Sequence, residues 1–313
     1  MYTYDQQQAF SFAVQQASHI EATVYTERLP GIRYPDLIPV DTSAPEWVPT
    51  VTYFSMSQAG QAEWLNGAAK DVPRADVAFA KSEEAIELAG IGYGWNIEET
   101  GKAQLLGMNL DSSKATAARR AADEMVDRVA FLGDAAKGFT GLANIPGTEG
   151  DDADNPWTDP NTDPAAILSE FNGIITGVFE SSRTVEMIDT ILLPHSVVHT
   201  LGTRMVTEYS TETILEWLRR HNVYTMETGR PLTIRGVRGL ETAGDAGVGR
   251  LIAYRRSPEV LKLHMPMPHR FLPVWQSGPM QFDVPGIMRF GGVNVRLPGA
   301  FRYFDNVAPA PAP

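Results

Sequence analysis

"RRAADEMVDRVAFLGDAAKGFTGLANIPG", Arg119–Gly147, begins as a charged helix and runs into a glycine-spaced apolar loop with no obvious catalytic group. Asp111 or Ser112 offers an N-cap upstream, so a helix is predicted from there to Leu132. Ala118, Ala122, Met125, Val129 and Leu132 recur at spacings of four and three, which gives one apolar stripe facing a core. Around that stripe Arg120, Glu124 and Arg128 alternate in sign four residues apart, as do Arg119 and Asp123, and Asp127 adds another acid. Such pairs contribute about 0.3–0.5 kcal/mol each. Gly138, Gly141 and Gly147 are placed to turn the chain after the helix.

Upstream, "DQQQAFSFAVQQASHIEATV" is an amphipathic candidate, and five prolines follow between Pro30 and Pro49. Proline at that density predicts an extended arm over the first fifty or so residues rather than a core element. "TVTYFSMS" and "ADVAFAK" read as the two strands of a long hairpin that would gain stability by lying on a neighbour. In "GIGYGW", Gly90, Gly92 and Gly94 bare one face of a strand so that another backbone can approach.

Downstream lies a loop bearing Asp151, Asp152, Asp154, Asp159 and Asp163. "DPAAILSEFNGIITGVFES" and "STETILEWLRRHN" are amphipathic helices flanking the short buried strand "TILLP". The C-terminal third is strand and turn, closed by the low-complexity tail "NVAPAPAP".

Composition narrows the functional classes. Without cysteine, disulfides, thiolate metal sites and cysteine nucleophiles are excluded. No membrane-length apolar run and no signal peptide are evident, so a soluble protein that stays in the cytoplasm is expected. A net charge of −12 argues against a phosphate-neutralising surface. His195 and His199 sit four apart but have no third ligand at a suitable spacing. The aspartate loop lacks the sixth-position glycine and closing glutamate of a helix-loop-helix calcium site. No cofactor, metal or catalytic residue is expected; a soluble metal-dependent hydrolase using the aspartate loop with His195 or His199 is the alternative from another class.

The order of features, and above all Asp127–Gly147 ("DRVAFLGDAAKGFTGLANIPG"), resembles the major capsid proteins of tailed bacteriophages with the Hong Kong 97 fold, to which encapsulins are related. The resemblance implies an α+β fold with an N-terminal arm (1–50), an extended loop (51–82), a peripheral domain holding the spine helix (83–165 with 258–313) and an axial domain (166–257). It implies pentamers and hexamers of the chain closing an icosahedral shell around double-stranded DNA, built in the host cytoplasm with scaffold, portal and decoration proteins as further partners. An encapsulin-like compartment is the alternative within the same fold. In a shell, Arg119, Arg120, Asp123, Glu124, Asp127 and Arg128 would face neighbouring subunits. One family member cross-links its shell through a lysine and an asparagine; Lys70, Lys81, Asn294 and Asn306 show no motif that carries this activity over.

Overall fold

The computed structural model describes residues 30–59, 74, 76–100, 110–148 and 150–310. The chain divides into two units, Met1–Gly31 and Ile32–Pro313. The amphipathic candidate and the rest of the first unit before Pro30 lie outside the described residues, as does the final tail beyond residue 310.

In chain order the second unit holds α1 (Tyr34–Leu37), β1 (Val40–Asp41), β2 (Thr50–Ala59), β3 (Asp76–Ala85), β4 (Glu87–Gly90), β5 (Tyr93–Asn96) and the long helix α2 (Leu110–Leu132). Then come β6 (Gly150–Asp152), α3 (Pro164–Ser181), β7 (Thr190–Leu193), α4 (His195–Thr203), α5 (Ile214–Arg220), α6 (Val223–Thr228), β8 (Thr233–Gly236) and β9 (Gly249–Tyr254). The chain closes through β10 (Leu261–His264), β11 (Met267–Phe271), β12 (Trp275–Gly278), β13 (Gln281–Val284), β14 (Gly286–Phe290), β15 (Val293–Val295) and β16 (Phe301–Ala308).

Helix α2 already includes Leu110 and Asp111, so it starts upstream of the expected cap. Its buried side is Ala118, Ala122, Val126, Val129 and Ala130, while Leu132, placed on the stripe by its spacing, is exposed. The reason lies just beyond: Gly133 has a positive φ of 74° and ends the helix, so Leu132 has no further turn to pack with. The loop then supplies a donor to each of the last four helix carbonyls. Gly133 N–H donates to Val129 O (2.7 Å), Leu142 N–H to Ala130 O (2.9 Å) and Ala143 N–H to Phe131 O (3.0 Å). Asn144 Nδ2 donates to Leu132 O (2.7 Å). A Cβ on Gly141 would run into the backbone of Phe131, Leu132 and Gly133, so that glycine permits the return of the loop.

A five-stranded sheet in the order β6-β16-β9-β7-β8 separates two cores. Successive strand residues point to opposite faces. Leu192, Ile252, Tyr254, Phe301 and Tyr303 join α2 in the first core. Ile191, Leu193, Leu251, Ala253 and Phe304 join α3 and α4 in the second. The register agrees, pairing Ile252 with Tyr303 and Leu251 with Phe304. "TILL" is buried at every position because both its faces are covered. The expected domain boundaries at 165 and 258 cut across this sheet, because β6 and β16 lie in it beside strands of the expected axial segment.

The proline-rich segment also differs from the expected extended arm. Pro35 sits in the first turn of α1, where its missing N–H costs no helix bond, and Leu37 and Ile38 are buried in the first core. β1 pairs in parallel with β10, Val40 opposite Leu263. Hydrogen bonds from Lys262 and Ser43 hold the Asp41 carboxyl well below the usual carboxylate range. Residues 32–41 thus lie on their own subunit.

Candidate assembly surfaces

β2 and β3 form a two-stranded antiparallel ribbon with ten residue pairs, Thr50 opposite Ala85 through Ala59 opposite Asp76. The expected hairpin is present over these strands; its connection, including Lys70, lies outside the described residues. Directly paired residues share a face. Phe54 opposite Lys81, Met56 opposite Phe79 and Gln58 opposite Val77 therefore put four apolar side chains on one side. Phe54, Met56, Val77 and Phe79 are 68%, 55%, 40% and 70% exposed, too much adjoining apolar surface for a ribbon that stands in water. Lys81 pairs with Glu83 beside them.

The glycine-bearing segment forms β4 and β5 and meets partner backbone as expected. β4 pairs with β14, Gly90 opposite Ile287, and β5 with β13, Gly94 opposite Asp283. A Cβ on Gly90 would lie 2.5 Å from Gly286 O.

The charged flank of α2 divides into two sets. Arg119, Glu124 and Arg128 are exposed and Arg120 and Asp123 half-buried, with Arg120 Nε 2.8 Å from Glu124 Oε1. Asp127 is buried inside the subunit, and this corrects its assignment to the outer flank. Its Oδ1 accepts the backbone N–H groups of Arg33 (2.7 Å) and Tyr34 (2.9 Å), and its Oδ2 accepts Arg33 Nε (2.9 Å). Arg33 also lies 4.3 Å from the Phe131 ring centroid and donates to Arg238 O. Asp127 thereby caps α1 from another element and fastens it to the long helix. Its place between Val126 and Ala130, both buried, was the available sequence signal.

The residues considered for chemistry have structural uses. Asp163 caps α3 through Ala165 N–H (3.1 Å), Asp159 accepts Asn161 N–H (2.8 Å), and Asp151 pairs with Arg302 (2.6 Å). The loop is not simply solvated: Trp157 is fully buried, packs against Phe171 and Phe304, and donates to Glu170 Oε2 at 2.7 Å. His195 and His199 lie on α4, and the His195 backbone N–H donates to Glu241. Among the described residues no group of three or more His, Asp or Glu is placed to hold a metal ion. Asn306 Nδ2 donates to Ala153 O (3.0 Å), whereas Asn294 is buried beside Glu84. Among the described helices none is long and apolar enough to cross a membrane.

An α+β subunit with a long helix buried along one face, two cores on one sheet and a projecting ribbon with an apolar face is of the Hong Kong 97 type. The major capsid protein family model matches residues 60–307, and the chain belongs to that family. It is a structural component of a virion capsid. A structure of the capsid of Myoviridae phage XM1 is similar over 93% of this chain and 97% of that one, with 17% identity and a TM-score of 0.78. A Microbacterium phage Oxtober96 chain is similar over 95% and 98%, with 12% identity and a TM-score of 0.62. A virus-like particle from Pyrococcus furiosus is similar over 87% and 91%, with 13% identity and a TM-score of 0.52. No curated protein sequence matches the chain.

Proposed function

We propose that copies of this chain form pentamers and hexamers that close an icosahedral shell around the double-stranded DNA of a tailed phage. The observation that carries the reading is the β2–β3 ribbon, whose apolar face needs a partner and whose length suits a reach across a neighbouring subunit. The net charge of −12 suits a container whose wall must not hold phosphates tightly during packing and release. The subunit has no catalytic role in this reading, assembles in the host cytoplasm, and meets scaffold, portal and decoration proteins. The segment around α3–α6 serves as the axial domain and the part around α2 as the peripheral domain.

DNA extracted from nuclease-treated particles tests the reading, with genome-length double-stranded DNA expected. Particles holding a packaged enzyme and no DNA would favour an encapsulin-like compartment instead. Of the flank, Arg119, Arg120, Asp123, Glu124 and Arg128 remain the candidates for contact between subunits. Arg120→Glu and Glu124→Arg are each expected to lower the denaturant or heat resistance of the shell while changing subunit stability by under about 1 kcal/mol. Shells of unaltered resistance in both variants would remove the flank from the interface.

A further inference from the structure

At the root of the ribbon a cavity of about 450 Å³ is lined by Glu84, Lys137, Thr140, Ile145, Asn294 and Pro298, among others. Glu84 on β3 and Asn294 on β15 both line its wall, and the Asn294 side chain favours the ionised form of the Glu84 carboxyl. Glu84 Oε2 and Asn294 Oδ1 are both buried without a hydrogen-bond partner. An ionised carboxylate only accepts, so the amide N–H₂ can serve one of its oxygens while the amide carbonyl and the second carboxylate oxygen stay unmatched. One proton on Oε2 changes this, because the acid then donates to Oδ1 and the pair closes through two hydrogen bonds. A buried acceptor left unmatched costs about 1–3 kcal/mol, which favours the closed pair.

The surroundings do not neutralise the carboxylate by other means. Arg296, from the end of β15, attracts it, but that guanidinium lies 5.3 Å from the Tyr53 ring centroid and its Nε has no partner. Lys137 on the cavity rim is held by Glu87 at 3.2 Å, and Glu83 by Lys81. His264, whose charged form Arg296 also opposes, is buried with neither ring nitrogen hydrogen-bonded, and burial disfavours that form despite Asp41 at 3.9 Å. Lys262 opposes that charge further and is itself bound to Asp41 at 2.8 Å. Desolvation therefore outweighs Asn294 and Arg296 and pushes the Glu84 carboxyl up to about 7.

We propose that Glu84 is a proton-operated latch: protonated, it closes an acid–amide pair with Asn294 that fixes the ribbon root to β15, and ionised, it leaves two buried acceptors unmatched and the root loosens. The proton leaves to solvent through the cavity. The device is internal to one subunit and goes beyond the shell reading, on which it does not depend.

The sign follows from linkage. A latched carboxyl holds its proton more tightly than a free one, whose pKa is about 4.3, so opening releases a proton. Root opening is therefore expected to increase by roughly tenfold per pH unit between about pH 5 and 7 and to level off above that. Amide hydrogen exchange of residues 50–54 and 82–86 in the full chain, corrected for the intrinsic pH dependence, measures it. Glu84→Gln, which keeps a donor facing Oδ1, is expected to stay protected at every pH. Asn294→Ala, which removes the latch partner, is expected to exchange fast at every pH. Infrared difference spectra of the wild type are expected to show a protonated-carboxyl band that titrates near pH 7 and is missing from Glu84→Gln. Root exchange independent of pH in the wild type, a wild-type profile in Glu84→Gln, or no titrating band near pH 7 overturns the proposal.

Discussion

Replacing Phe54 and Phe79 together by Asp is expected to abolish shell formation while leaving the subunit folded. Both rings are more than two-thirds exposed on the same face of the ribbon, so the subunit loses little packing when they go. An interface that buried them would gain about 1.5–3 kcal/mol per side chain, and Asp in their place would desolvate a charge with no partner. Every subunit in a shell repeats the defect, so the loss compounds across all contacts. Sedimentation of the double variant is expected to show subunits or small oligomers with wild-type circular dichroism. Shells at wild-type yield would show that the ribbon's apolar face is not an assembly surface.

The second large effect is on the subunit itself. Asp127→Ala removes the acceptor for Arg33 N–H and Tyr34 N–H and leaves the Arg33 guanidinium, 17% exposed, without its carboxylate. Breaking a buried pair from one side costs about 3–5 kcal/mol. Equilibrium denaturation of the isolated subunit is expected to show that loss. Asp127→Asn retains an oxygen for the two backbone donors and is expected to lose less. If Asp127 acted between subunits, the isolated variant would match the wild type and only assembly would suffer.

These two residue sets mark how far the sequence could be read. Short-range periodicity made the long helix, the ribbon strands and the glycine face legible, because each is a pattern of neighbours within one element. A helical stripe gives a face but not its centre. With about 100° between successive residues, a reading through Met125 and Leu132 and one through Val126 and Ala130 both fit, and the difference turned Asp127 inward. Its partner Arg33 is 94 residues away, beyond any local pattern.

The same holds for the proline segment, whose composition suggested an arm while Leu37 and Ile38 were core residues. Trp157 stood in a polar loop, and it is buried against Phe171 from α3 and Phe304 from β16, which are far apart in sequence. The sheet shared by two cores was hidden for a related reason: β16 lies some fifty residues after β9, and only its pairing shows that Phe304 and Leu251 share a face. Gly133, which ends the helix, sits just before the glycines that the sequence pattern singled out.

Electron microscopy of the purified protein, expressed alone and together with the scaffolding protein proposed for it, tests the central claim most directly. The account expects closed shells or, short of closure, pentameric and hexameric rings with the ribbons laid across neighbouring subunits. A protein that stays monomeric or dimeric in both preparations at high concentration would contradict it.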